Sequence, residues 1–148
     1  MNTKLQLCLL ISLCFISCKP TIDESTKIKQ LLEKESATWR SGDSQAHASC
    51  WHIQPYSKIL VSTMGGKTYD VPPMEMIKIN PDNVGSGGSS INTNYKMSIH
   101  KNNAWVSHDE ESTAKDGSIS YSHEIRLLEK VNKEWKLVAQ SIHVYKKE

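Results

Sequence analysis

The chain has 148 residues, with 18 Lys and Arg against 16 Asp and Glu and a formal charge of +2 at pH 7. That length suits one domain with a single core, and the near-balanced charge leaves no basic footprint for nucleic acid. A mean hydropathy of −0.48 argues against a multi-span membrane protein. The N-terminus departs from this average. Lys4 supplies a positive start, and "LQLCLLISLCFI" (Leu5 to Ile16) is an apolar run, too short for a bilayer span of roughly 20 residues. Its form is that of a secretory signal.

The run closes on Phe15-Ile16-Ser17-Cys18. Two apolar residues, a small one and then a cysteine resemble a bacterial lipobox, with Phe15 standing where Leu is usual. Cys14 fits less well because bulky Leu13 precedes it. The resemblance implies a signal peptide over 1–17, removed before Cys18, and palmitate-like acylation of Cys18. It further implies a short tether over 18–23, a domain over 24–148, and a lipid-anchored protein of the bacterial cell envelope. Which membrane holds it is left open. Several acyl chains anchor stably where one short chain gives marginal binding. Of four cysteines, Cys8, Cys14 and Cys18 belong to the signal and its lipobox, which leaves only Cys50 in the domain. The domain therefore has no internal disulfide or cysteine-based zinc site and stands on its core alone.

Thr21 to Glu24 reads as a capping box. Ile28, Leu31, Leu32, Glu35 and Trp39 then recur at helical spacing, a stripe with one polar member. Gly42 ends this helix, and Asp43 can cap a second, shorter one through "SQAHASCWH", stopped before Pro55. "SKILVST" is a strand ended by Gly65-Gly66, and "VPPMEMIKIN" suits a short helix. Asn80 to Asn94, rich in Gly, Ser and Asn, reads as a flexible loop. Three long strand candidates follow: "YKMSIH" running into "AWVSHDEEST", then "SISYSHEIRLLEK", then "EWKLVAQSIHVYK". Hairpin turns are expected at Lys101-Asn102-Asn103, Lys115-Asp116-Gly117 and Val131-Asn132-Lys133. Helices followed by an antiparallel meander predict an α+β domain with a strongly curved sheet.

Trp39 with Gly42-Asp43, Trp51, "AWVSHDE" and "EIRLLEKVNKEWKLV" resemble, in that order, the nuclear transport factor 2-like superfamily, in its SnoaL-like branch. The likeness runs from about Ile22 to Tyr145. It implies a cone-shaped fold, helices packed on a curved sheet, a pocket at the open end and frequent dimers. Its members include isomerases, cyclases, dehydratases and binding modules, so the fold alone selects no activity.

The catalytic members tend to place an acidic base where the second helix passes into the first strand. Between Asp43 and Asp70 this chain has no Asp or Glu. His52 and Tyr56 stand there instead, and a histidine can serve as a base near neutrality. Strand alternation puts Trp105, Ser107 and Asp109 on one face and Val106, His108 and Glu110 on the other. Asp109 beside Trp105 is either a pocket carboxylate or part of a solvated strand end. Glu124, Arg126 and Leu128 share a face, where the Arg fork either holds a carboxylate or phosphate or forms an internal pair with Glu124. Without a bulge, Trp135, Leu137, Ala139, Ser141, His143 and Tyr145 align, so His143 can look into the cavity mouth. The resemblance adds Trp39 and Trp51 to these pocket candidates.

The six histidines lack metal-ligand spacing, and "GSGG" lacks the strand-before, helix-after context of a phosphate loop. No cofactor and no metal are expected. A meeting of His108 and His123 across a hairpin stays conjectural. The missing carboxylate favours a non-catalytic domain that binds a small molecule or a protein. An isomerase-, dehydratase- or cyclase-like enzyme is the alternative. A homodimer through the sheet's outer face, burying Ile125 and Leu127, is the third expectation.

Overall fold

The computed structural model describes residues 22–147; the signal, Cys18 and most of the tether lie outside them. Helix α1 spans Glu24–Ser41 and α2 spans Ser44–Ala48. The strands are β1 (Ile59–Ser62), β2 (Thr68–Val71), β3 (Ser89–His100), β4 (Asn103–Thr113), β5 (Ile119–Val131) and β6 (Glu134–Tyr145). They form one sheet in the order β2-β1-β6-β5-β4-β3. The β3–β6 meander is antiparallel, as the alternation predicts, but β1 joins β6 in parallel. The sheet is therefore mixed, and the α+β expectation stands.

Asp23 is the N-cap of α1, its carboxylate accepting from Ser25 N at 3.2 Å. That places Glu24 at the first helical position, so the expected capping box does not form. Glu24 instead accepts from the Trp135 indole N–H at 2.6 Å and pairs with Lys130 at 2.7 Å. These contacts pin the start of α1 to the β5–β6 hairpin. Ile28, Leu32, Glu35 and Ser36 share the buried face of α1. Ile28 and Leu32 pack against Trp51, Ile59, Val106, Leu128, Trp135 and Leu137 to form the core.

The Gly-, Ser- and Asn-rich stretch is not a free loop. Ser89 onward belongs to β3, and the segment before it seals the C-terminal end of α1. Gly85 N–H donates to Trp39 O and Gly87 N–H to Arg40 O, each at 2.9 Å, which satisfies carbonyls that a helix end leaves unpaired. Gly42 sits at φ 79°, and a Cβ there would come within 3.3 Å of Gly85 Cα, so two bare backbones are needed at this crossing. Helix α2 ends at Ala48, earlier than expected, because Trp51 leaves the helix to bridge Leu137 of β6. "VPPMEMIKIN" holds only a 3₁₀ turn, Pro73–Met76, and the short strand β2 before it lacks any alternating signal. Asn132 and Lys133, at φ 50° and 71°, make a two-residue type I′ turn between β5 and β6.

Two bulges aim the side chains. In β6 the register slips so that Leu127 pairs Ala139 while Leu128 pairs Leu137, with Val138 the extra residue. The slip reverses the alternation, so Gln140, Ile142 and Val144 face inward while Ser141, His143 and Tyr145 face outward. In β3 the register skips between Thr93 and Lys96, and Asn94 takes φ 54°.

Candidate ligand pocket

Between α1 and the concave face of the sheet lies a cavity of about 550 Å³ with two unlike walls. Ile59, Val61, Val71, Met76, Ile142 and Val144 make the apolar wall. Helix α1 contributes Glu35, Ser36 and Arg40 to the polar wall, and the meander contributes Glu110, Ser122, Glu124, Arg126 and Gln140. The polar set forms because even-numbered residues of β4 and β5 point inward. The β6 bulge then brings Gln140 into line with Arg126.

Arg126 is 4% exposed and tied into a polar network. Its Nε donates to Glu124 Oε2 at 3.0 Å, its Nη2 donates to the same oxygen, and its Nη1 donates to Gln140 Oε1. Glu35 Oε2 lies 3.6 Å from Nη1. Ser122 Oγ donates to Glu124 Oε1 at 3.0 Å. A second pair on the same wall is less deeply buried. Arg40 Nη2 donates to Glu110 Oε1 at 2.7 Å, and Ser36 Oγ donates to Glu110 Oε2 at 3.2 Å.

Burial opposes the charge on Glu124, but Arg126 and His108 outweigh it and hold the carboxyl below its ordinary range. Burial also works against Arg126, and Glu124 with Glu35 overcomes it, raising that pKa further. Glu110 goes the other way: burial and then Glu124 push it up, and Arg40 offsets only part of this. Three buried carboxyl groups thus share the cavity with two guanidinium groups, which leaves no unmatched positive charge for an anion.

His108 lies beneath this wall with neither ring nitrogen hydrogen-bonded, its Nε2 3.5 Å from Glu124 Oε2 and its ring against Tyr95. Burial lowers its pKa below the ordinary 6.5, against the pull of Glu124. A depressed folded-state value means the unfolded chain takes the proton first. The stability this residue contributes is therefore complete above pH 6.5 and falls as pH drops through the folded-state value. Urea midpoints should decline from pH 7 to 5, and His108→Gln should flatten that limb. An unchanged slope in the variant would count against the assignment.

Of the residues singled out from the sequence, Glu124, Arg126 and Trp39 line this cavity. Glu124 and Gln140 already accept from Arg126 Nε, Nη1 and Nη2, and Glu124 with Glu35 balances its charge within the protein. Trp51 is core, and His52 is half-buried beside Gln54. Tyr56 is 62% exposed and donates to Glu129 at 2.6 Å. Trp105, Asp109 and His143 line a separate groove on the outer face, so none reaches the cavity. For His143 the cause is the Val138 bulge. His108 and His123 point to opposite faces, because His108 pairs Glu124 while His123 pairs Asp109. Glu35, Ser36, Arg40, Glu110 and Gln140 are the functional candidates that sequence reasoning passed over. For Glu35 the signal was its place inside an apolar stripe, and for Glu110 its shared parity with Val106.

No family model matches the chain, and no curated protein matches it in sequence. Solved structures do. An NTF2-like protein from Cytophaga hutchinsonii superposes with TM-score 0.62 at 15% identity, covering 82% of this chain and 98% of that one. A candidate scytalone dehydratase from Novosphingobium aromaticivorans gives 0.66 at 15% identity, covering 83% and 85%. The fold is NTF2-like. A candidate calcium/calmodulin-dependent kinase II association domain from Exiguobacterium sibiricum shares it, with TM-score 0.61, 15% identity and 88% and 98% coverage. Proteins named for a dehydratase and for an association domain thus share this NTF2-like framework, so function must be argued from the cavity.

Proposed function

We propose that this chain is a lipid-anchored cell-envelope protein whose NTF2-like domain binds a small neutral molecule, without turning it over. The observation that carries the binding reading is the two-walled cavity of about 550 Å³, whose buried charges are already paired with one another. That volume suits a compact ligand, and cavities of this kind use an apolar wall for affinity and a few polar groups for orientation. An apolar body fits against Ile59, Val61 and Ile142. Hydroxyl or amide groups fit the Ser and Gln side chains and Glu110. An anion finds no unmatched positive charge.

One observation favours a second reading. Glu110 is a buried carboxyl on the cavity wall, held by Arg40 and Ser36 and raised above its ordinary range, and a pocket carboxyl displaced in this direction is a candidate proton donor or acceptor. The substrate would be a small hydroxylated compound undergoing isomerisation or loss of water.

The test is a thermal-shift screen of the full chain in detergent with sterol-like compounds, sugars and small carboxylates, beside Val144→Trp to fill the cavity. A neutral ligand in hundredfold excess over its Kd should raise Tm by roughly 5–10 °C. Carboxylates should give no shift, and Val144→Trp should abolish the response. Stabilisation by carboxylates, or a shift that survives in the filled variant, would overturn the binding reading. Mass spectrometry of the same mixtures decides turnover. The anchor is tested separately: Cys18→Ser should lose acyl labelling, and retained label removes the lipoprotein assignment.

A further inference from the structure

The outer face of the sheet carries a row of three polar side chains that the cavity does not use. Asp109 of β4 pairs His123 of β5, and His123 pairs His143 of β6, so the three lie side by side across adjacent strands. All three line one groove of about 740 Å³, together with Asn94, Trp105 and Ser107. Direct cross-strand neighbours hold their Cβ atoms about 4.5–5.5 Å apart. Two imidazoles at that spacing can reach one ion at the usual metal–nitrogen distance of about 2.0–2.1 Å.

We propose that His123 and His143 form a binding site for a borderline divalent transition metal such as Ni²⁺, Cu²⁺ or Zn²⁺. His123 is already oriented for it. Its Nδ1 lies 2.6 Å from Asp109 Oδ1, and Asn94 Nδ2 holds the other carboxylate oxygen at 2.7 Å. Tyr145 stacks on the ring at 4.3 Å and 12°. A carboxylate on Nδ1 places the proton there and leaves the Nε2 lone pair for a metal, the arrangement that fixes many ligating histidines. On His143, Nε2 lies 2.9 Å from Ser141 Oγ. When that nitrogen donates to the hydroxyl, Nδ1 keeps its lone pair.

Imidazole nitrogens select Ni²⁺, Cu²⁺ and Zn²⁺ over Mg²⁺ and Ca²⁺, which take oxygen ligands. Among the described residues no group of three or more His, Cys, Asp or Glu converges as a metal centre. The protein therefore supplies two ligands and water completes the shell, so the ion exchanges readily. Lys96 lines the same groove, a positive charge that works against cation binding.

Isothermal titration of the untagged full chain in detergent with NiCl₂ tests this, with MgCl₂ as the hard-ion control. One Ni²⁺ per chain and no response to Mg²⁺ are expected. His123→Asn and His143→Asn should each weaken Ni²⁺ binding at least tenfold. Asp109→Asn should weaken it several-fold at unchanged stoichiometry, and His100→Asn should leave it unaltered. Both histidines are exposed, so the variants should keep the wild-type urea midpoint. Absence of binding at millimolar Ni²⁺ overturns the site. So does an affinity indifferent to both substitutions, or one as sensitive to His100 as to His123.

Discussion

Replacing Arg126 by Met should lower the free energy of unfolding by about 3–5 kcal/mol, the usual cost of leaving buried charges without their partner. The guanidinium is 4% exposed and carries the only buried positive charge in direct contact with Glu124 among the described residues. Without it, Glu124 and Glu35 must either stay ionised in a poorly solvated site or take up protons. Either response costs stability at neutral pH. The double variant Glu124→Gln with Arg126→Met should recover at least half of the loss, because it removes the stranded charge together with its partner. Recovery stays incomplete, since Glu35 also loses the nearby Arg126. Urea unfolding of the two single variants and the double variant measures the coupling. A single-variant cost below about 1 kcal/mol, or costs that simply add, would show that the pair is not buried as described.

The second large effect separates two adjacent leucines. Leu128 is 1% exposed and pairs with Leu137 in the core, whereas Leu127 is 42% exposed on the outer face. Leu128→Ala should cost about 2–5 kcal/mol, the loss of burial plus the cavity left behind. Leu127→Ala should cost about 1 kcal/mol or less, because much of its side chain is already in water. Equal losses at the two positions would mean that the outer face is covered in solution, as a homodimer through the sheet would cover it. Chemical denaturation at two protein concentrations distinguishes that case, since a dimer's midpoint rises with concentration.

The β4 and β5 parities were legible because a strand interior alternates strictly. Val106, His108 and Glu110 had to share one face of β4, and Glu124, Arg126 and Leu128 one face of β5. Which face would be buried was only half legible. Trp105 beside Asp109 offered an apolar residue next to a carboxylate, yet Val106 proved the better guide, since a β-branched residue packs closely under α1. His143 was misplaced for a different reason. A bulge adds one residue and inverts every side chain beyond it, and nothing in "KLVAQS" announces Val138 as the extra residue.

The sequence by itself determined the local devices: the α1 stripe, the Gly42 stop, the Asp43 cap, the turns between long strands and the parity of β4 and β5. Each depends on interactions within a few residues, so the chain carries the information locally. The tertiary structure alone decided the parallel docking of β1 on β6, the pinning of the Gly-rich segment to α1, and the joining of Glu35 and Arg40 to the β4–β6 meander. Those features depend on contacts between residues far apart in the chain, such as Arg40 with Glu110, whose register no periodicity records. The polar wall of the cavity exists only once that register is set, because its charges are stable in the interior only as partners of one another.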